Sequence, residues 1–374
     1  MNRSKIALFS AVILWALTAV AHAAAPRATH NVLWIMTDGL RWQEVFTGAE
    51  EVLMTKENGD VKDVDSLKKA YWRDTPEARR EALMPFFWTK IAKQGQLFGN
   101  QHKGSIARVT NGKNFSYPGY NETLCGFADP RIDSNDKMLN PNITVFEWLN
   151  RKEGFGGRVA AFGCWDVFPF IFNRPRCGFY INAGYDPFDD GKLNPRLELL
   201  NQLKVENPRR WAGEPFDPIT FHTAFEYLKE RKPRLFYLSL NETDSWGHEG
   251  KYEEYLRAAN RYDMYLKTIW DWAQSQPQYQ GKTTLIVSPD HGRGDAPVDW
   301  KSHGKDLDRS QFIWMGFLGP DTPALGERSN IGPVTQSQLA ATLAALLGED
   351  FCAAVAQAGK PIADVVATQQ QASR

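Results

Sequence analysis

Five short apolar runs constrain this chain more than any other feature. They are Asn31–Thr37 (NVLWIMT), Arg158–Phe162 (RVAAF), Arg234–Leu240 (RLFYLSL), Thr283–Ser288 (TTLIVS) and Phe312–Leu318 (FIWMGFL). They are rich in β-branched and aromatic residues and do not strictly alternate, so they read as strands of a parallel sheet covered on both faces. Helical patterns fall between them. Glu77–Gly95 has apolar residues at helical spacing, and Pro85 inside it reads as the true start of the helix. Glu253–Ser275 is long and amphipathic, and the Ala/Leu-rich Thr335–Gly348 stops at a glycine. This alternation predicts an α/β sandwich with a largely parallel central sheet flanked by helices. Two stretches fall outside it. Residues 168–217, rich in Pro, Gly, Asn and Asp, read as a loop-rich insertion or small cap, and Glu50–Glu77 as a polar surface loop.

The N-terminus reads as an export signal. Arg3 and Lys5 precede the apolar run Ile6–Val20, and Ala21-His22-Ala23 supplies a small-x-small cleavage site. The run is short for a membrane span. The expected layout is a signal peptide over 1–23 and one catalytic domain over 24–374, exported to a periplasm and without a span after cleavage. Equal numbers of basic and acidic residues, 44 of each, argue against nucleic-acid binding as the main task. Cys125, Cys164, Cys177 and Cys352 form neither a CxxC nor a zinc-ribbon pattern. Cys164 with Cys177 is the local choice if they pair, and buried free thiols are the other reading.

The strand ends carry the chemistry. Asp38 directly follows NVLWIMT, Asp244 closely follows RLFYLSL, and Asp290-His291 follows TTLIVSP, so three strands deliver carboxylates to one edge of one sheet. A single strand-terminal aspartate is usually a cap or turn former. Three with histidines attached are not. His248, His291 and His303 each sit beside glycine, which lets backbone and ion approach closely. A mixed Asp/His donor set suits zinc or a similar borderline cation, where six oxygen ligands would have suggested magnesium or calcium. The nucleophile candidate is Ser116 in Asn-Phe-Ser-Tyr-Pro-Gly-Tyr, a turn that could present a hydroxyl at a helix start. By itself Ser116 reads as a cap, and it becomes a nucleophile only where a metal activates it.

These residues resemble the alkaline phosphatase superfamily, most closely its nucleotide pyrophosphatase/phosphodiesterase-like branch, from about Asn31 to Gly348. The strings that carry the resemblance are NVLWIMTDG, FSYPGY, TDSWGH, SPDHG and KSHG, in that order. It implies an alkaline-phosphatase-like sandwich and two divalent ions, zinc foremost. Asp38, Asp290 and His291 would hold one ion together with Ser116, and Asp244, His248 and His303 the other. It also implies an asparagine on a phosphoryl oxygen, with Asn135 the best match and Asn114 or Asn140 as alternatives. Three carboxylates and an alkoxide would then roughly neutralise two divalent ions, leaving room for a small phosphate ester as substrate. The sulfatase Cys/Ser-x-Pro-x-Arg signature is missing from the nucleophile region. Arg131, Arg293 and Lys301 lie near the motifs in sequence, and each taken alone reads as a surface charge.

Three other readings compete. A phosphomutase or phosphotransferase of the same superfamily would be cytoplasmic and carry a larger insertion. Phosphoethanolamine transferases usually have membrane helices. A non-catalytic binding protein with this fold would have lost a ligand or the nucleophile, and every one is in place.

Overall fold

The computed structural model describes residues 27–191 and 193–366. The expected signal peptide and the last residues of the tail lie outside them. The strands are β1 (Asn31–Thr37), β2 (Gln96–Phe98), β3 (Ala107–Arg108), β4 (Val159–Gly163), β5 (Tyr180–Ala183), β6 (Leu235–Leu240), β7 (Thr283–Pro289), β8 (Phe312–Ile313), β9 (Met315–Leu318), β10 (Gly326–Glu327) and β11 (Val334–Thr335). Eight make one sheet in the order β10-β2-β9-β7-β1-β6-β4-β5, and β11-β3-β8 make a small second sheet. From β7 to β5 every pairing is parallel, and β9 joins β7 and β2 antiparallel.

The buried faces explain the apolar runs. Leu33 and Ile35 enter one core and Val32, Trp34 and Met36 the other, so β1 has no wet side on which a polar residue could alternate. Register then fixes the site. Thr37 lies level with Leu240 on one neighbour and Pro289 on the other, so β1, β6 and β7 end in line and their next residues emerge together.

Several details differ from the sequence reading. FIWMGFL is two strands: Ile313 pairs with Ala107 in the small sheet, while Met315 pairs with Phe98 in the large one. Between them Trp314 is fully buried and donates its ring N–H to the carbonyl of Leu40 at 2.9 Å. The segment 77–95 is also divided. A first helix, Pro76–Leu83, starts at the Thr75 cap, Met84 leaves helical geometry at φ −131° and ψ 69°, and Pro85 opens a second. That second helix is capped from afar, with Asp263 accepting the Phe86 and Phe87 N–H groups at 2.8 and 2.7 Å. Burial pushes the Asp263 carboxyl up to about 7 even though both N–H donors favour its charged form. Asp263→Ala should cost about 2–3 kcal/mol by stranding both donors. The expected reading is a lower urea midpoint at unchanged slope, and an unmoved midpoint would remove Asp263 as the cap.

Within 50–77, Thr55 and Asp63 cap short helices at Lys56–Gly59 and Val64–Tyr71, where a loop was expected. Within 168–217, β5 extends the main sheet and Pro195–Glu206 forms a helix packed on Asp217–Arg231. All four cysteines are unpaired; Cys164 Sγ instead lies 3.1 Å from Asp217 Oδ1. Among the described residues, no helix is long and apolar enough to cross a membrane.

Candidate metal centre

Asp38 and Asp290 leave β1 and β7 side by side and fully buried. Asp38 Oδ2 accepts the Tyr120 hydroxyl at 2.9 Å, and Asp290 Oδ1 accepts the Gly39 N–H at 3.2 Å. Their other oxygens, Asp38 Oδ1 and Asp290 Oδ2, have no hydrogen-bond partner. Both face His291 Nε2, at 3.2 and 3.4 Å. His291 Nδ1 lies 2.8 Å from the Gly292 carbonyl, which as a hydrogen bond makes Nδ1 the donor and leaves the Nε2 lone pair among carboxylate oxygens. Acceptors converging on one buried point repel each other unless a cation or proton lies between them. Ser116 Oγ stands 3.5 Å from the same nitrogen.

A second group adjoins the first. His248 Nε2 and His303 Nε2 are 2.9 Å apart, and His248 Nε2 is 3.2 Å from Asp244 Oδ2. His303 Nδ1 lies 3.0 Å from the Asn114 carbonyl, again turning the ring's other nitrogen inward. The His291 and His303 rings stack with centroids 3.9 Å apart. Asp244 belongs to both groupings, because its donor atoms come within 4.8 Å of His248 and His303 and also of Asp38 and His291. The His248 side chain is 48% exposed, whereas that of His291 is fully enclosed, so the Asp244–His248–His303 group forms the solvent side. Gly39 is required here. Its φ is +59°, and a Cβ would stand 2.6 Å from Asp244 Oδ1.

Charges follow the crowding. Burial, then the Asp244 charge, raises the Asp38 carboxyl, and burial, then Asp38, raises Asp290 well above the usual range. Burial alone would lower His291, but Asp290 and Asp38 lift it to about 9. Burial also disfavours charge on Asp244, yet Arg293 beside it brings that carboxyl well below the usual range. Burial, then the His291 charge, lowers His303. A divalent ion would supply the missing positive charge, and orphaned oxygens with inward-turned imidazoles are donors suited to one.

The three asparagines are separated. Asn135 Oδ1 accepts the Tyr117 N–H at 2.9 Å, holding its amide at the start of the Ser116–Cys125 helix. Asn140 is buried and donates to Asn121 Oδ1 and the Ile171 carbonyl. Asn114 backs His303 through its carbonyl. Of the three cations, Arg131 is tied to Asp129, and the Lys301 side chain packs against Gly250. Arg293, read from sequence as a surface charge, is 1% exposed and donates to Asp244 Oδ1. Sequence reading also missed Tyr120, whose one signal is its place four residues after Ser116, and Glu214. Glu214 Oε2 accepts the Ser245 hydroxyl at 2.7 Å, and burial, then Asp244 and Asp38, pushes it up to about 8. Nothing in a proline-flanked loop marks such a residue.

The sequence profile of the Metalloenzyme superfamily matches residues 218–306, the segment that carries Asp244, His248, Asp290, His291 and His303. No curated protein matches the chain by sequence. Solved structures resemble it along most of its length. The wild-type alkaline phosphatase PafA shares 11% identity, with 92% of this chain and 100% of that one covered at a TM-score of 0.55. A phosphonate monoester hydrolase from Silicibacter pomeroyi shares 13%, covering 89% and 76% at 0.55. The lipoteichoic acid synthase LtaP from Listeria monocytogenes shares 12%, covering 86% and 73% at 0.53. The chain therefore has the alkaline-phosphatase-like α/β fold, a large and mostly parallel sheet between helices. At these identities the likeness is one of fold, and it assigns no substrate.

Proposed function

We infer that this chain is a metal-dependent hydrolase of phosphate esters that uses Ser116 as its nucleophile. One observation carries the reading: the Ser116 hydroxyl lies 3.5 Å from His291 Nε2, beside buried carboxylate oxygens that have no other partner. Asp38, Asp290 and His291 would hold one divalent ion with Ser116, and Asp244, His248 and His303 a second. Zinc is the ion such a donor set favours. Bound there, the ions would activate the serine hydroxyl and stabilise negative charge on attacking and leaving oxygens.

The chain's own residues do the rest. Ser116 Oγ attacks phosphorus and takes the phosphoryl group, and the alcohol departs on the opposite side. Water then hydrolyses the phosphoserine and restores the hydroxyl. Asn135, anchored through the Tyr117 N–H, offers its amide N–H groups to a phosphoryl oxygen. Tyr120 holds Asp38 by one oxygen and so orients the other. The Ser116-Tyr117-Pro118 setting supports a reading within the nucleotide pyrophosphatase/phosphodiesterase-like branch, and the basic-then-apolar N-terminal pattern supports export to a periplasm.

The test is direct. Purified chain lacking residues 1–23 should carry divalent metal and should turn over p-nitrophenyl phosphate, bis-p-nitrophenyl phosphate or both. The ratio of the two rates settles monoester against diester preference. Protein without bound metal that hydrolyses neither would end the reading.

A further inference from the structure

We propose that Arg293 is the positioning residue of the Asp244–His248–His303 group: one guanidinium that fixes Asp244 and the backbone leading into His303 in the arrangement a divalent ion needs. The inference rests on the function proposed above and adds to it a residue that touches no substrate.

The geometry is specific. Arg293 Nη1 donates to Asp244 Oδ1, Nε donates to the Trp300 carbonyl at 2.7 Å, and Nη2 donates to the Lys301 carbonyl. Arg293 itself lies two residues beyond His291. One planar side chain thus joins the three segments that bear His291, Asp244 and His303. Two glycines make room for it. A Cβ on Gly247 would lie 2.8 Å from Arg293 Cζ, and one on Gly39 would lie 3.0 Å from Nη1.

The block behind it is rigid. Trp300 is fully buried, packs edge-on against Tyr252 and Tyr255, and donates its ring N–H to the Asn58 carbonyl at 3.2 Å. The Gly294 N–H donates to the Ser302 carbonyl at 3.0 Å, closing the loop one residue before His303. Arg293 engages Oδ1 of Asp244, while Oδ2 faces His248 and stays available to a cation.

A buried arginine beside a buried aspartate is commonly only a charge pair. Here the two carbonyl contacts separate the roles, because a charge pair needs neither of them. Lysine can keep the charge but cannot reach three acceptors in one plane. Loss of such an orienting partner typically weakens metal binding by about 10–100-fold.

The experiment compares the wild type with Arg293→Lys and Arg293→Met. Each is stripped of metal and titrated with zinc against a competing chelator, and thermal midpoints are recorded with and without zinc. Both variants should bind one zinc equivalent about 10–100-fold more weakly, and zinc should raise their midpoints less than it raises the wild type's. Lysine should recover the metal-free midpoint better than methionine while leaving zinc affinity low. A merely structural arginine would lower both midpoints equally and spare zinc affinity, and that result would overturn the proposal. If the methionine variant does not fold, the lysine variant decides alone. A wild type that takes up no divalent ion would end the proposed function and this inference together. Wild-type zinc affinity in a folded lysine variant would end only the inference.

Discussion

Ser116→Ala should remove turnover of phosphate esters and leave the fold and metal content nearly intact. The structure allows this separation because the Ser116 hydroxyl has no structural duty. Although a serine at a helix start reads as a cap, Phe115 occupies the cap position of the Ser116–Cys125 helix, and the Tyr117 N–H is taken by Asn135 Oδ1 rather than by Ser116. Among the described residues, the side-chain hydrogen-bonding contact of Ser116 Oγ is to His291 Nε2, at 3.5 Å. Its removal should therefore stay within about 1 kcal/mol of wild-type stability. Loss of a nucleophile costs on the order of 10³-fold or more in kcat, because the step it performs has no substitute in the site. Rates on both p-nitrophenyl substrates, with metal content measured in parallel, decide the matter. Full activity in the variant would exclude Ser116.

The second large effect is expected when metal is removed, and it should depend on pH in a definite direction. In stripped protein Asp217 and Asp263 are pushed up to about 7, Glu214 to about 8 and His291 to about 9. Each lies above its unfolded value, about 3.9 for Asp, 4.3 for Glu and 6.5 for His. The native state then holds more protons than the unfolded state between about pH 6.5 and 8, so stability falls as pH rises across that window. Asp38 and Asp290, also raised, add in the same sense. Lys204, lowered by burial to about 8, opposes the trend only from about that pH upward, and the lowered His303 acts below its ordinary value.

Ion binding needs Asp38, Asp290 and His291 deprotonated, so loaded protein should lose their share of this pH dependence. The gap in thermal midpoint between zinc-loaded and stripped protein should widen from pH 6.5 to 8. Activity should vanish on stripping and return with zinc. A gap that narrows with pH would mean that these groups do not hold the ion.

What the amino-acid sequence reveals of this fold follows a physical rule. β1 was legible residue for residue because two covered faces leave a strand no choice but continuous apolar side chains, and a chain that stops being apolar there has reached the sheet edge. Asp38 and Asp290 were legible as the next residues. The gathering of Asp244, His248 and His303 was legible as chemistry but not as geometry, since Asp244 reaches into both groups. FIWMGFL misled because an unbroken apolar run does not reveal that the chain passes from the small sheet to the large one at Trp314. Arg293 was illegible for a deeper reason. Burying a guanidinium depends on acceptors from Asp244, Trp300 and Lys301, and no local pattern announces them. Glu214 and the caps at Thr55 and Asp63 belong to the same class, being polar residues whose meaning comes from what they meet.

The middle position of β1 has a consequence for biogenesis. Val32 pairs with Leu235 on one side and Thr284 on the other, so this fully buried strand emerges early from the ribosome and finds both neighbours only after most of the chain has been made. Pairing so distant in sequence is slow, and the waiting strand is adhesive. The nascent protein should therefore depend on a holding chaperone until β7 is released, and premature termination before that strand should yield insoluble fragments with no residual activity.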